Sequence, residues 1–398
     1  MEQFFATCPR GLEQVLAAEL AGLGGRHAGA VDGGAAFAGD FALCYAANLE
    51  SRVASRVLWQ AGESRYRDEQ DIYDAARAVP WPQLFDVRRT IRVNVSAIKS
   101  PVKSLDFVTL RVKDAVCDVF RERSGKRPDV NTQSPDVRIH VFLTRDEATF
   151  YLDTSGEALF RRGWRAAGGE APLRENLAAG ILKLAGWAAP ATLYDPMCGS
   201  GTFLIEAAMM ALDAAPGINR AFGFEKLENF DENAWRMLRD KAKARRKTAA
   251  RLPVSGSDKS GTVLGLAREN LATAGLASAV GLKQMDILDG SPPAEPGIVV
   301  MNPPYGERQA TEDELAAFYP RLGDALKQRY ADWTAYILTA DLRLAKLIGL
   351  KASKRTPLYN GALECRLFEY RMVEGSLRRK KPLTAEDAED AEENKSKD

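Results

Sequence analysis

The sequence predicts an α/β protein in which an open, mostly parallel sheet over residues 166 to 376 follows a smaller α+β part. Three observations predict it. Strand-like apolar runs alternate with helix-favouring stretches after residue 166, as βαβ units require. The run Ala191 to Tyr194 meets a glycine turn and then a helix-favouring segment, Phe203 to Leu212, rich in Ala, Met, Leu and Ile. The run Gly297 to Met301 meets two prolines that cannot continue a central strand, so the chain leaves the sheet at Asn302.

The elements can be taken in chain order. Gly11 to Leu23 has a helical pattern, Thr90 to Ala97 and Val137 to Leu143 read as strands, and Ala148 to Leu152 as another. Between the first two strands, Leu105, Val108, Val112, Val116 and Val119 form an apolar helical stripe. The expected organisation is a unit of residues 1 to 65 completed by about 145 to 165, a second unit of 66 to 145, and the α/β part of 166 to 376. The tail from 377 to 398 is charged and poor in apolar residues, so disorder is expected. A long insertion, Ala214 to Arg251, carries a basic helix from Arg236, whose charged face fits either RNA or solvent. Strands Leu252 to Ser257 and Val280 to Gln284 end near Asp258 and Asp286, and those near Trp333 to Leu338 and Leu363 to Met372 fit a closing antiparallel hairpin.

Composition narrows the function. The chain has 398 residues, 45% hydrophobic, with no apolar run long enough to span a bilayer and no leader pattern, so a cytoplasmic protein without membrane partners is expected. Five cysteines stand without C-x-x-C spacing, and His27 and His140 are the only histidines, so neither a metal site nor a disulfide framework is expected. The net charge of +1 hides an asymmetry: residues 386 to 398 carry −5, which leaves +6 on the rest. From Arg88 to Arg127, eleven Lys and Arg face four acids. Lys99, Lys103, Arg111 and Lys113 in that stretch are candidate phosphate contacts, although a solvated helix face fits the same pattern. Arg161, Arg162 and Arg165 follow, either to guide RNA toward the α/β part or as plain linker arginines.

The chemistry lies in two motifs. In Asp195-Pro196-Met197-Cys198-Gly199-Ser200-Gly201-Thr202, the glycines permit φ > 0 and remove Cβ atoms, while the following helix offers unpaired N–H groups. The loop can hold a polar ligand closely. It lacks the G-x-x-x-x-G-K-[ST] of a phosphate-binding P-loop. Cys198 is given no role beyond lining. In Asn302-Pro303-Pro304-Tyr305, the Asn302 oxygen and a proline-held carbonyl are suited to accept hydrogen bonds from an exocyclic amine. Such bonds favour the tetrahedral nitrogen needed for attack, and Tyr305 is placed to stack on a base.

Both motifs match class I S-adenosylmethionine-dependent methyltransferases acting on amino groups. The stretches Leu152 to Glu157, Leu159 to Arg165, Ala171 to Leu177, Asn302 to Arg308 and Leu358 to Cys365 resemble, more closely, the bacterial 23S rRNA guanine-N2 methyltransferases of the RlmL type. The resemblance covers about residues 45 to 376. It implies a Rossmann-like domain with a mostly parallel seven-stranded sheet, behind an N-terminal ferredoxin-like and THUMP module that binds RNA. It also implies that S-adenosylmethionine is held by Asp195 to Thr202, Asp258 at the ribose, Asp286 at the adenine, Asn302, and Arg174 at the carboxylate. Asp258 lies 63 residues after Asp195, well past dinucleotide-fold spacing, and the insertion accounts for the excess. The family's second acid after Asp258 is missing, because Lys259-Ser260-Gly261 follows.

The implied reaction is methyl transfer by direct displacement onto guanine N2 of 23S rRNA or a large-subunit precursor, by a monomer or weak oligomer. Some relatives continue into a second methyltransferase domain, and a single activity is expected here. The rivals are a tRNA guanine-N2 methyltransferase, an N6-adenine DNA methyltransferase, since N-P-P-Y does not distinguish amines, and a non-catalytic ribosome-assembly protein. The last predicts a degraded cofactor loop, whereas this loop is intact.

Overall fold

A computed structural model describes residues 1–165, 173–248, 251–304 and 311–373. The expected tail of 377 to 398 and Tyr305 lie outside the described residues.

The first half is built on strands β1 (Glu2–Thr7), β2 (Arg26–Val31), β3 (Gly34–Gly39), β4 (Arg56–Arg65), β5 (Ile91–Ala97), β6 (Val137–Leu143) and β7 (Glu147–Asp153). They form one sheet in the order β2-β3-β1-β4-β7-β6-β5. The two expected N-terminal units therefore share a continuous sheet: β4 pairs with β7 within the first, from Leu58↔Asp153 to Arg65↔Glu147, and β7 joins it to the second by pairing with β6 from Ile139↔Leu152 to Leu143↔Ala148. Its helices are α1 (Glu13–Gly22), α2 (Phe41–Glu50), α3 (Glu69–Ala78), α4 (Trp81–Leu84) and α5 (Leu105–Ser124). The start of α5 is fixed by Ser104, whose Oγ accepts the Phe107 N–H at 3.2 Å, and its end by Gly125 at φ 70°. Val108, Val112, Val116 and Phe120, spaced by four, bury its inner face.

The second half contains α6 (Glu175–Leu184), β8 (Leu193–Asp195), α7 (Thr202–Ala211), α8 (Glu232–Arg245), β9 (Val254–Asp258), α9 (Gly261–Thr273), β10 (Gly281–Gln284) and β11 (Ile298–Met301). It ends with α10 (Glu312–Arg329), β12 (Thr334–Thr339), α11 (Leu344–Leu347), β13 (Lys354–Asn360) and β14 (Leu363–Arg371). The sheet order is β10-β9-β8-β11-β12-β14-β13, parallel except for β14 against its neighbours. Central strands β8 and β11 are apolar runs because helices cover both faces.

One core cluster extends from Phe4 through Val116, Leu204 and Leu264 to Leu367, so the two halves bury apolar surface against each other. A second cluster, around Met301, Tyr319, Trp333 and Ile337, fills the other side of the second sheet. Gly11, at φ 91°, lies so close to β13 that a Cβ would meet the Pro357 carbonyl oxygen at 2.3 Å.

Candidate active site

The strand order reverses between β8 and β11, and side chains from the carboxyl ends of β8 to β11 converge there, where open α/β sheets bind ligands. A cavity of about 770 Å³ opens at this point, a volume typical of cofactor sites.

Asp195, at the end of β8, is buried, and its Oδ1 accepts the Met197 N–H at 3.1 Å. Burial pushes its carboxyl well above the usual range; the Met197 N–H opposes that shift, and the nearby Asp258 charge adds to it. The loop is tied to β9 by Cys198 N–H donating to the Ser257 carbonyl at 2.9 Å and by Gly199 N–H donating to Asp258 Oδ2 at 3.0 Å. Asp258 Oδ1 accepts from Ser260 N–H at 2.9 Å, so each oxygen keeps acceptor capacity for a ligand diol. Asn270 Nδ2 holds the Ser200 carbonyl at 3.0 Å. Gly199 and Gly201 sit at φ 54° and 81°, and a Cβ at Gly199 would meet nothing within 4 Å. Burial and the charges of Asp195 and Asp258 push the Cys198 thiol up, so it is no nucleophile. Burial raises the Tyr194 phenol to about 12, and it pairs with Ser257 Oγ at 2.7 Å as a neutral strut between β8 and β9.

Asp286 follows β10; its Oδ1 accepts the Leu288 N–H at 2.9 Å, and it lines the cavity beside Ile287 and Leu288. Asn302 follows β11 and also lines the cavity. Its Oδ1 is buried, and among the described residues no donor reaches it. A buried acceptor left unpaired costs about 1–3 kcal/mol, so this oxygen is prepared for a partner that the described residues do not supply. Acids at three strand ends, an apolar wall and an open glycine loop fit a nucleoside-bearing cofactor such as S-adenosylmethionine.

The structure redistributes some expected roles. Gly201 and Pro303 do not line the cavity; Gly201 packs against Ala267, where a Cβ would sit at 3.4 Å, and Pro303 is buried. Arg174, expected at the cofactor carboxylate, instead lies 4.9 Å over the Phe160 ring and against Gly361, outside the cavity. Arg165, expected to guide RNA, lines the cavity in its place. It donates to Glu175 Oε1 at 2.9 Å, Ser200 Oγ at 3.2 Å, Thr202 Oγ1 at 3.0 Å and the Leu173 carbonyl at 3.1 Å. Arg162, also expected to face RNA, is buried, donating to Glu206 Oε1 at 3.2 Å and to the Leu159 and Arg52 carbonyls. Sequence spacing could not separate these arginines, because an irregular linker has no period. Arg161 is exposed beside Glu157 at 2.9 Å. Lys99 and Lys103 are exposed, Arg111 lies 4.1 Å over the Tyr73 ring, and Lys113 pairs with Asp114 at 2.7 Å. Phe318 and Arg321 of α10 also line the cavity and carried no motif that would reveal them.

Among the described residues no cluster of His, Cys, Asp or Glu could hold a metal, and no helix is long and apolar enough to cross a membrane.

Fold and site together define a class I methyltransferase whose cofactor is S-adenosylmethionine. Residues 162–369 match the RMKL-like methyltransferase domain, 66–153 the THUMP domain and 3–58 the RlmL ferredoxin-like domain. The chain belongs to this family of THUMP-containing, RlmL-type methyltransferases. It is 42% identical over 383 residues to the ribosomal RNA large subunit methyltransferase K/L of Syntrophotalea carbinolica, covering 94% of this chain but only 54% of that protein. It thus spans about half of that relative. A putative RNA methyltransferase of Synechocystis sp. is 38% identical, with 93% of this chain and 96% of the relative covered. The crystal structure of a putative methyltransferase complexed with SAH superposes with a TM-score of 0.85 at 31% identity, over 94% of this chain and 99% of that one.

Proposed function

We propose that the protein methylates the exocyclic N2 of a guanine in 23S rRNA, as free RNA or within a precursor of the large ribosomal subunit, in the cytoplasm. The observation that carries the chemistry is Asn302 Oδ1, buried, unpaired among the described residues and on the wall of the cofactor cavity. An amide oxygen held this way accepts a hydrogen bond from an amine and favours the pyramidal nitrogen that attacks. The Pro303 carbonyl is the second acceptor, and Tyr305 is assigned to stack on the base.

S-adenosylmethionine supplies a methyl group activated on a sulfonium sulfur. Asp258 is assigned to its ribose hydroxyls, Asp286 to its adenine amine, and Asp195 with the 196–202 loop to the remainder. Arg165 replaces Arg174 as the partner for its carboxylate, because it already lies on the cavity wall with Ser200 and Thr202. Neutralisation of the product amine is left to water, since the Cys198 thiol is pushed up and no histidine lines the cavity. Residues 66 to 145 are assigned the RNA-binding role, with Lys99, Lys103, Arg111, Lys113 and Arg161 at phosphates. The K/L name of the relatives supports rRNA over tRNA or duplex DNA. An intact cofactor loop speaks against a purely non-catalytic assembly protein.

The test is transfer of labelled methyl to protein-free 23S rRNA, total tRNA and duplex DNA side by side, with nucleoside analysis of the product. N2-methylguanosine in 23S rRNA is the expected result. Label confined to tRNA, or methyladenine in DNA, would refute the substrate assignment.

A further inference from the structure

Between α7 and β9, Arg220, Arg239 and Lys243 line a groove of about 460 Å³ that shares no lining residue with the cofactor cavity. The groove is built on an aromatic ladder. Arg220 lies 5.2 Å over the Phe222 ring, Phe222 meets Trp235 edge-on at 5.4 Å, and Arg239 lies 5.5 Å over Trp235. Stacking fixes a guanidinium while leaving its N–H edge available for an oxyanion. Lys243 stands four residues after Arg239 on α8, on the same helix face.

The positive charge in this groove is poorly answered by the protein. Arg220 donates to main-chain carbonyls rather than to a carboxylate, Nη1 to Ala158 at 2.8 Å and Arg161 at 3.5 Å and Nη2 to Ser155 at 3.4 Å and Glu157, so it supplies the groove with charge more than with free N–H groups. Burial lowers its pKa to about 10, with Arg162 and Arg56 adding repulsion against the attraction of Glu157 and Asp153, so it remains a cation at neutral pH. The acid nearest Lys243 is Asp240 at 3.9 Å, an exposed pair of little strength. Among the described residues the one acid in the groove wall, Glu225, accepts the Phe222 N–H through Oε1 at 2.9 Å. Among the described residues, the buried Nε atoms of both Arg220 and Arg239 have no acceptor. Arg239 and Lys243 on one face of α8, with the Arg220 charge behind them and little opposing charge, suit an anion with several oxygens. Exposed Arg236, Lys241, Arg246 and Lys247 extend the basic surface along and beyond α8, which suits a polyanion better than a single small ion.

We propose that Arg220, Arg239 and Lys243 form a phosphodiester-binding site for the RNA substrate, separate from the basic face of α5. The site rests on the reading that this protein acts on RNA. It gives the insertion a function: a second anchor on the nucleic acid, set on the α/β half rather than on the THUMP-containing half.

The test uses the full chain carrying Arg239→Gln and Lys243→Gln together, with binding to protein-free 23S rRNA followed across a salt series. Affinity should fall roughly tenfold at physiological salt, and the slope of log affinity against log salt should flatten by about one per lost phosphate contact. Binding of S-adenosylhomocysteine should match the parent protein, and Arg239→Lys should recover part of the slope. An RNA affinity and salt slope equal to the parent's would overturn the site while leaving the RNA reading intact. A parent protein that binds no 23S rRNA would overturn the RNA reading, and the site with it. Should the double variant melt early, Lys243→Glu alone, at an exposed position, carries the same test with a larger expected loss.

Discussion

Two regions of this molecule bury carboxylates within a turn or two of each other and treat them differently. At the junction between the halves, Glu206 of α7 is answered by two cations: Arg162 Nε donates to Oε1 at 3.2 Å, and Arg52 Nη1 lies 3.9 Å from Oε2. Arg52 in turn donates to the Met209 and Ala214 carbonyls at 3.2 and 2.6 Å, and Asn176 Nδ2 crosses to the Val53 carbonyl at 3.1 Å. In the cofactor cavity, Asp195 receives one backbone N–H and faces the like charge of Asp258. Asn302 Oδ1 receives no donor from the described residues. At the junction opposite charges are matched, even though Glu206 Oε2, Arg52 Nη1 and Asn176 Oδ1 have no hydrogen-bond partner among the described residues; in the cavity the acid faces like charge and the unpaired acceptor faces open space.

That contrast can be broken most severely at Glu206. Replacing it with Ala leaves Arg162 and Arg52 buried without their acid, and unfolding in urea should show a loss of about 3–5 kcal/mol. A loss under 1 kcal/mol would mean the junction is not held by this pair. In the cavity the same kind of deletion should act on rate instead. Asn302→Ala should lower methyl transfer by about 10²–10³-fold, while titration with S-adenosylhomocysteine stays within a few-fold of the parent and the melting temperature does not fall. Equal loss of turnover and cofactor binding would remove Asn302 from the amine.

Glycines sharpen the comparison at intermediate size. Gly11→Ala at the junction adds a Cβ 2.3 Å from the Pro357 oxygen at φ 91°, and should cost about 2–4 kcal/mol in chemical denaturation. Gly199→Ala meets open space at φ 54°, so it should cost only about 1 kcal/mol of stability and show its effect in weaker cofactor binding. Similar stability losses would erase the distinction. The smallest effect concerns Asp195. Its carboxyl is raised in the folded state, so its contribution to stability is complete below the unfolded value near 4 and is lost as pH rises through the folded pKa. Melting curves of the ligand-free protein should therefore shift in favour of Asp195→Asn as pH rises above about 4. A difference independent of pH would indicate that Asp195 titrates normally.

Much of the α/β half was legible because its signals are local. Apolar runs ending at Asp195, Asp258 and Asn302 lie on β8, β9 and β11, within one or two residues of the expected bounds. The helix α5 follows from a four-residue apolar spacing that needs no tertiary information. By contrast, α10 carries Pro320 within its span, which argues against a helix locally; its capping box between Thr311 and Glu314 and a buried face with Leu315, Tyr319 and Leu322 hold it nonetheless. The pairing of β4 with β7 falls within the unit expected from residues 1 to 65 and 145 to 165, whereas the pairing of β6 with β7, which joins that unit to the second in one sheet, was not legible in the sequence, since a strand's own residues do not specify its neighbours on both edges.

The sequence by itself determined the class of fold, the glycine loop with the acids at the neighbouring strand ends, and the Asn-Pro-Pro corner. Each is a short segment whose backbone freedom and side-chain chemistry are set within a few residues. Only the tertiary structure decided among the arginines. Arg162 became a buried counter-ion to Glu206, Arg165 a cavity residue, Arg174 a stacked cap outside the cavity, and Arg220 and Arg239 the rungs of a separate groove. A long cationic side chain reaches several ångströms in any direction, so which partner it meets depends on elements that come together only when the chain has folded.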